Sequence, residues 1–333
     1  MSIQDLILGV SGLAGLSDIH LHQGRLPAVR IDGNIQSMGE KPIAEADLQA
    51  FIDANLADRL RLVFETKGDV DLAITMGGIR FRVSFARGSG GLAVILRKLS
   101  DHIPSPHDLR LPSAAHQILN KHSGLVLVTG PTGSGKSTSL ASMIDQINAQ
   151  RAAHILTIED PIEYVHQDKR SIVFQREVGR DTSSFAQALR AALREDPDVI
   201  LLGEMRDLET VSLALTAAET GHLVFGTLHT SGAPNTINRI IDVFPSEQQG
   251  QIRSQLSQSL QMVMTQRLLP KKGGGRVAVF EVMLNNPAIA NLIRESKVHQ
   301  IANTMITGMA GGMVTMERSM QELIAAGEID APE

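Results

Sequence analysis

Residues 130–138 read Gly-Pro-Thr-Gly-Ser-Gly-Lys-Ser-Thr and match the pattern G-x-x-x-x-G-K-[ST]. The apolar run from Leu125 to Val128 before them predicts a buried strand, and the stretch from Ser139 to Asn148 after them is helix-like. Glycines let consecutive backbone N–H groups surround a phosphate, and the N-terminus of a following helix adds partial positive charge. The stretch therefore predicts a phosphate-binding loop for a nucleoside triphosphate.

Individual residues of this loop have distinct expected roles. We expect Lys136 to reach the β- and γ-phosphates of ATP and the Ser137 hydroxyl to bind Mg²⁺. The predicted ATP-binding set is the whole loop: Gly130, Pro131, Thr132, Gly133, Ser134, Gly135, Lys136, Ser137 and Thr138.

Composition describes an ordinary globular protein. Of the 333 residues, 43% are hydrophobic and 20% are charged, and this length is sufficient for two domains with separate cores. The absence of cysteine excludes disulfides and thiolate zinc sites, and the net charge of −5 gives no general indication of nucleic-acid binding. The apolar stretch from Leu6 to Leu16 is too short to span a bilayer, so we expect neither a signal peptide nor a membrane anchor.

The chain divides by composition into three parts. Residues 1–99 are expected to form a small α/β domain, in which Glu45 to Val63 is predicted to be helical. Residues 100–112 contain three prolines among polar residues and are predicted to be an interdomain linker. Residues 113–333 form the predicted ATPase domain, in which Glu247 to Leu269 has the pattern of an amphipathic helix.

Acidic residues follow two predicted buried strands. The strand from His154 to Ile158 leads into a segment with three carboxylates, including Glu163, which could orient or deprotonate a water molecule. An acidic surface loop is the alternative. The apolar run from Val199 to Leu202 ends in Gly203-Glu204, with glycine at the usual Walker B aspartate position. Magnesium contact is therefore expected to depend on Glu204.

The histidines are less specific. His222 and His229 are an odd number of residues apart and would face opposite sides of a strand, so they cannot form one metal site. His229 lies at the carboxyl end of its strand, where it could contact a γ-phosphate, whereas His222 is expected to be structural or interfacial. His20 and His22 would share one strand face, and a solvated face explains them better than a metal site.

Two groups of arginines also have alternative explanations. Arg82 shares a strand face with Arg80, and Arg97 ends the next strand, so both could bind phosphate or simply keep a sheet soluble. Arg190 and Arg194 lie four residues apart on a predicted helix, where cations near the C-terminus also favour the helix dipole.

Several stretches taken together carry a family resemblance. The sequence resembles the PilT-type twitching-motility ATPases, the retraction motors of type IV pili within the secretion-ATPase superfamily. The matching stretches are distributed along nearly the whole chain: residues 17–21 with Gly24, Pro27, Arg30 and Gly33, then 80–83, 130–138, 155–166, 175–178, 189–207, 216–230, 267–270 and 273–277.

The resemblance implies an α/β fold with a PAS-like N-terminal domain and a RecA-like P-loop ATPase C-terminal domain. It also implies a homohexamer with ATP between subunits. By the same resemblance, Glu163 is the expected catalytic base, Glu204 the Walker B acid and His229 the γ-phosphate sensor.

The resemblance also changes the interpretation of the arginines. Arg82 and Arg97 match positions at which the superfamily's N-terminal domain supplies arginine fingers, which favours a catalytic role over a solubilising one. Arg190 and Arg194 match its paired helix arginines. The implied motor is cytoplasmic and binds an inner-membrane platform protein of the pilus machine, at the cytoplasmic face of that membrane, with no nucleic acid expected.

One position departs from the retraction family. Residues 288–295 read Ala-Ile-Ala-Asn-Leu-Ile-Arg-Glu, and Ala290 replaces an arginine of the family motif. The alternative that this departure raises is an accessory or divergent paralogue. Separate alternatives are a type II or type IV secretion ATPase and a DNA translocase with the same RecA-like ring. A lack of cysteine argues against the assembly and type II ATPases, which carry a four-cysteine zinc module.

Overall fold

The computed structural model describes residues 2–99 and 102–331, so residues 100 and 101 of the predicted linker lie outside the described residues. The chain forms two compact units. The first comprises Met1–His102 together with Asp160–Val165 and Glu177–Asp181, and the second comprises Ile103–Glu159, His166–Arg176 and Thr182–Glu333. The division at residues 100–112 remains a prediction. It assigned the two central segments to the second domain, whereas here they pack with the first unit.

The first unit contains a six-stranded antiparallel sheet with strand order β3-β2-β1-β6-β5-β4. The strands are β1 (Leu16–His22), β2 (Ala28–Ile31), β3 (Asn34–Ser37), β4 (Asp69–Met76), β5 (Ile79–Gly88) and β6 (Gly91–Lys98). The helices are α1 (Ile3–Ser11), α2 (Glu45–Asn55) and α3 (Asp58–Lys67).

Alternation along β5 gives this sheet two different faces. Phe81, Val83 and Phe85 are buried in the core with apolar residues of the three helices. Arg80 and Arg82 point to the opposite face, as the period of two predicts. The sheet therefore has one apolar face for folding and one face that carries charged groups.

The single helix expected from Glu45 to Val63 is wrong. The chain leaves the helical conformation at Leu56, which is extended with φ −94° and ψ 117°, and a second helix starts at Asp58. Leu56 is buried in the core of the unit. Because a continuous helix has one direction, this break lets both helices and Leu56 cover the same curved core.

The second unit contains a seven-stranded sheet with strand order β13-β12-β7-β11-β10-β8-β9. The strands are β7 (Gly124–Thr129), β8 (His154–Glu159), β9 (Ile172–Glu177), β10 (Val199–Leu202), β11 (Leu223–Leu228), β12 (Leu260–Pro270) and β13 (Arg276–Leu284). The helices are α4 (Ser113–Ile118), α5 (Lys136–Gln150), α6 (Phe185–Ala192), α7 (Leu208–Glu219), α8 (Ala233–Asp242), α9 (Ser246–Ser259), α10 (Pro287–Arg294), α11 (Ile301–Thr307) and α12 (Met316–Ala325).

The amphipathic helix expected from Glu247 to Leu269 is also wrong. Helix α9 ends at Ser259, and Leu260–Pro270 is the strand β12, parallel to β7 and antiparallel to β13. Met262, Val263 and Met264 are all fully buried because both faces of this central strand are covered. Such a strand reads as a continuous apolar run, which sequence periodicity does not distinguish from a buried helix.

The parallel strands place the predicted site residues at one edge of the sheet. Strand β7 lies beside β11, and β11 lies beside β10, all three parallel, so the segments that follow them meet at their carboxyl ends. In residues 2–99 and 102–331, no helix combines the length and apolar character that crossing a bilayer requires.

Candidate nucleotide-binding site

The phosphate loop connects β7 to α5, as the sequence predicts. Gly130 and Gly135 both have positive φ, at 138° and 88°, and Gly135 is the residue that caps α5. A Cβ atom at Gly130 would overlap the carbonyl oxygen of Gln266 on β12. Glycine is therefore required at position 130 by conformation and by the close approach of a neighbouring strand.

Lys136 is the first residue of α5 and is largely buried against its own loop. Its Nζ atom donates to the carbonyl oxygens of Gly130 at 2.8 Å and of Pro131 at 3.0 Å. The hydroxyl of Ser134 is also buried and has no hydrogen-bond partner among the described residues. The loop thus holds an ammonium group and a hydroxyl donor close to the start of a helix, where an anion is favoured.

Strand β12 supports the loop from behind, a contribution that the sequence did not predict. Gln266 is buried, and its Oε1 atom accepts a hydrogen bond from the Ser139 hydroxyl at 2.7 Å. The hydroxyls of Thr129 and Thr265 hydrogen-bond at 2.9 Å. These contacts fix the end of β7 and the first turn of α5 to a second strand, so the loop has little freedom to collapse.

A cavity of about 300 Å³ opens beside the first turn of α5. Thr138 and Ser139 line one side of it, and Leu268, Val277 and Ala278 provide an apolar wall. Cationic side chains at its edge come from three segments of the second unit: Arg110, Lys271 and Arg276. A flat aromatic ring would fit the apolar wall. Arg110 and Lys271 are already paired with the Glu328 carboxylate, at 2.6 Å and 3.4 Å, so a polyhydroxylated group would fit this edge better than an anion.

Glu204 and His229 meet at the ends of β10 and β11. The Glu204 Oε1 atom lies 3.2 Å from His229 Nε2, and the same oxygen contacts the Arg206 guanidinium. They line a cavity of about 420 Å³ together with Thr230 and Arg239. The structure therefore brings together two residues that the sequence placed 25 positions apart, in an open pocket rich in charge.

The glycine at the usual Walker B aspartate position has a steric explanation. Gly203 donates its N–H to the Ile158 carbonyl oxygen at 2.8 Å. A Cβ atom at Gly203 would lie 3.2 Å from that oxygen and 3.2 Å from Glu159 Cα, which leaves little room for a side chain. The next residue, Glu204, is then the first that can present a carboxylate at this edge.

Glu163 lies in the segment that packs with the first unit. Its Oε1 atom is 4.0 Å from Arg82 Nη1, and Arg82 Nη2 lies 3.4 Å from Asp71 Oδ2. All three side chains are partly exposed. The structure thus groups the predicted base with one predicted arginine finger on the charged face of the six-stranded sheet.

Arg97 is held by a buried aspartate. Its Nε atom donates to Asp18 Oδ1 at 2.8 Å, while Arg30 approaches the other oxygen at 3.5 Å and the Ser17 hydroxyl donates to it at 2.8 Å. Burial raises the pKa of Asp18, but the hydrogen bonds from Arg97 and Ser17 outweigh it, so the pKa lies below its usual value. The Arg97 side chain is still 66% exposed.

Arg190 lies in the last turn of α6, but the helix ends at Ala192, so Arg194 follows it and the prediction of both arginines on one helix face is wrong. The Arg190 guanidinium contacts the Glu209 carboxylate in the first turn of α7, and Arg194 Nη1 donates to the Arg190 carbonyl oxygen at 2.9 Å. Arg194 thus satisfies a carbonyl group at the helix end, in line with the helix-terminus alternative. Arg190 instead connects two helices, a contact that the sequence did not predict.

The other three histidines that the sequence singled out are His20, His22 and His222. The rings of His20 and His22 stack with centroids 6.4 Å apart, and no metal-binding group of three His, Cys, Asp or Glu side chains occurs within the described residues. His222 Nδ1 lies 2.9 Å from the Ala217 carbonyl oxygen, so its ring supports the end of α7. The structural interpretation of His222 is consistent with this contact.

A mainly parallel sheet with a phosphate loop after a central strand, and an acid and a histidine at the ends of the next two strands, defines a RecA-like P-loop ATPase. Residues 17–330 match the family described as type II/IV secretion system protein. The chain belongs to this family.

Individual relatives cover nearly the whole chain. It is 48% identical over 330 residues to the type IV pilus retraction ATPase PilT of Pseudomonas aeruginosa. The aligned residues cover 99% of this chain and 96% of that relative. The chain is 43% identical over 324 residues to the uncharacterised protein YggR of Escherichia coli, which spans 97% and 98%. A crystal structure of the pilus retraction motor PilT with bound ADP matches with a TM-score of 0.91 and 50% identity, over 99% of this chain and 95% of that one.

These findings confirm three predictions: the resemblance to PilT-type ATPases, the α/β fold with an N-terminal domain and a RecA-like domain, and the ATPase activity. The chain binds nucleotide and hydrolyses ATP. The roles of the individual site residues stay predictions.

Proposed function

We propose that this chain is the ATP-hydrolysing motor that retracts type IV pili. Within this proposal, ATP hydrolysis rests on the Glu204–His229 pair at 3.2 Å, at the ends of β10 and β11, where β11 is the neighbour of the strand β7 that leads into the phosphate loop. An acid and a histidine in this place can act on a terminal phosphate held by the loop. The 48% identity to a pilus retraction ATPase over almost the full length supports the same function.

ATP occupies the phosphate loop, with Lys136 exchanging its bonds to the loop carbonyls for bonds to the phosphates. The nucleoside lies in the cavity beside α5, its base on the apolar wall and its ribose near the cations. The oxygen donors Ser137 and Glu204 fit Mg²⁺, which prefers hard ligands. Bound Mg²⁺ would neutralise charge on the β- and γ-phosphates.

Glu163 orients the attacking water and accepts its proton, and His229 contacts the γ-phosphate. Arg82 and Arg97 stabilise the charge that develops on the transferred phosphoryl group. Arg97 is suited to this because Asp18 binds its Nε atom while the side chain remains two-thirds exposed. By the family resemblance, Arg190 and Arg194 belong to the catalytic set as paired arginines.

The motor works as a homohexamer with ATP between subunits, in the cytoplasm at the face of the inner membrane. It reaches the membrane by binding the platform protein of the pilus machine, and no nucleic acid takes part. Ala290, which is buried in α10, supports a second candidate, an accessory motor that assists a principal retraction ATPase.

The test is Glu204→Gln at the native locus of the source bacterium. We expect more surface pili and lost surface motility, because ATP would bind but not turn over. The purified variant should lose at least about 100-fold in kcat with an unchanged affinity for ATP. Glu247→Gln, at an exposed position in α9, is the matched control. Unchanged pilus number and motility would contradict the retraction function.

A further inference from the structure

Glu177 is a buried carboxylate without a role in the proposed chemistry. It is the last residue of β9, groups with the first unit and is 1% exposed. Its Oε2 atom accepts a hydrogen bond from the Ile162 N–H at 3.1 Å, and its Oε1 atom accepts one from the Ala73 N–H at 3.4 Å. One carboxylate thus links the segment 160–165 to strand β4.

Arg80 binds the carbonyl group of Ile162, the residue whose N–H donates to Glu177. Its Nε and Nη2 atoms donate to the Ile162 carbonyl oxygen at 3.3 Å and 3.2 Å, and its Nη2 atom also lies 3.5 Å from Glu177 Oε2. The N–H and the carbonyl group of Ile162 are therefore both bound by an ion pair. Ile162 directly precedes Glu163, and its own side chain is buried.

Burying the ion pair of Glu177 and Arg80 costs desolvation free energy. Burial raises the pKa of Glu177, and the hydrogen bonds from Ile162 and Ala73 and the charge of Arg80 only partly oppose this. Apolar residues could cover the same surface at less cost in desolvation. Apolar contacts, however, would not fix the direction of a peptide group. The hydrogen bonds here bind the N–H of the peptide before Ile162 and the C=O of the peptide after it, so they fix both peptide planes that flank this residue.

We propose that Glu177 and Arg80 are positioning residues for Glu163. They fix the two peptide groups on either side of Ile162, the second of which leads into Glu163, and so hold the Glu163 carboxylate beside Arg82 on the charged face of the six-stranded sheet. The inference rests on the proposed role of Glu163 as the base. The same contacts keep Glu163 and Arg82 together on that face, so the base and this arginine are positioned as a pair.

The first test compares Glu177→Gln with the wild type in steady-state ATP hydrolysis, using the full-length chain in both cases. We expect kcat to fall by about 100-fold, since a displacement of about 1 Å at a reacting group can have this effect. The affinity for a fluorescent ATP analogue should stay within about twofold. Arg80→Lys keeps the charge but loses the two-nitrogen contact, and we expect a loss in kcat of about tenfold.

A control variant distinguishes a loss of the Glu163 position from a nonspecific effect of removing an arginine-bound carboxylate. Glu195→Gln removes the carboxylate of another arginine-bound glutamate, the partner of Arg176 at 2.8 Å, but does not touch the segment 160–165. We expect it to leave kcat unchanged. Glu177→Gln could lower the melting temperature too far for assay. Arg80→Lys then still tests the proposal, because in that variant the Ile162 and Ala73 N–H groups still donate to the Glu177 carboxylate.

A double-mutant cycle shows whether Glu177 affects kcat through Glu163 or through another part of the protein. In a Glu163→Gln background, Glu177→Gln should produce little further loss in kcat, because its effect is exerted through the missing base. A full and additive loss would overturn the positioning role. If Glu163→Gln alone had a normal kcat, the assignment of Glu163 as the base would be wrong. If Glu163→Gln were inactive but Glu177→Gln had a normal kcat, only the positioning role of Glu177 would be wrong.

Discussion

Arg97 on β6 binds Asp18 on β1 through its Nε atom at 2.8 Å, and the two residues are direct partners in the antiparallel register. An arginine bound through Nε keeps its orientation, since the guanidinium plane is fixed at its base. Asp18 is buried, so its carboxylate is stable only while these donors satisfy it. A residue that no phosphate would touch therefore determines where Arg97 can point.

Asp18→Asn should lower the free energy of unfolding by about 1 kcal/mol at pH 7, a modest value because Arg97 is mostly exposed. The pKa of Asp18 is lower in the folded state than its usual 3.8, so its contribution is present above pH 3.8 and is lost as pH falls through the folded value. Urea unfolding from pH 7 to pH 3 should show the difference from wild type narrowing only below about pH 4.

The exposed Glu40→Gln is the control for the loss of one negative charge. It should match the wild type across the range. If the difference between Asp18→Asn and wild type stayed constant to pH 3, the carboxylate of Asp18 would not be the source of the stability, and its charge would not be what orients Arg97.

Arg82→Ala should lower kcat on the order of 10³-fold, the size of effect expected of an arginine that stabilises transferred phosphate. Its contacts to Asp71 at 3.4 Å and Glu163 at 4.0 Å are partly exposed, so the melting temperature should change little. Phosphate release and thermal unfolding of the purified protein measure both quantities. Arg25→Ala, at another exposed arginine of the first unit, should change neither. A parallel loss of activity and stability would indicate a structural role for Arg82.

Local sequence signals were sufficient to predict the phosphate loop. The strand before it, the glycines and the helix after it all lie within one continuous stretch, so no long-range information is needed. Strand β12 was missed because its methionines and leucines suit a buried helix as well as a buried strand. The supporting role of Gln266 was lost with it, since the Gln266 contact to Ser139 exists only if β12 lies beside β7.

The contacts of Asp18 with Arg97 and of Ala73 with Glu177 could not be predicted from the sequence. The pairing of Asp18 with Arg97 spans 79 positions, and the hydrogen bond from Ala73 to Glu177 spans 104. The first depends on how β1 and β6 are aligned, whereas the second joins strands of two different sheets through a side chain. Residue spacing alone determines neither. The motif around Glu177 was visible in the family resemblance, but its function as a link to the segment of Glu163 became visible only in three dimensions.

Gly130→Ala should abolish nucleotide binding and lower stability by more than about 2 kcal/mol, because a Cβ atom would overlap the Gln266 backbone and the φ of 138° disfavours any side chain. Gly221→Ala is the matched control. Its φ of 113° is also positive, but no atom lies within 4 Å of the added Cβ, so only the conformational cost of about 1 kcal/mol remains. Chemical denaturation and binding of a fluorescent ATP analogue test both. Equal losses of stability in the two variants would refute the close packing of β12 on the loop.

Ala290→Arg would restore the arginine of the retraction family, and we expect it to lower stability by about 1–2 kcal/mol. Ala290 is only 9% exposed on α10, and it lies four residues before Arg294, whose Nη1 atom is 3.3 Å from the Ser257 hydroxyl on α9. A second guanidinium on this face would face both a packed helix and a like charge. ATP turnover should remain, because no proposed catalytic residue lies on α10. Ala288→Arg, the same change at an exposed position of the same helix, isolates the effect of burial. If the two variants were equally stable, α10 would tolerate arginine at position 290, and the alanine there would need a functional explanation instead of a packing one.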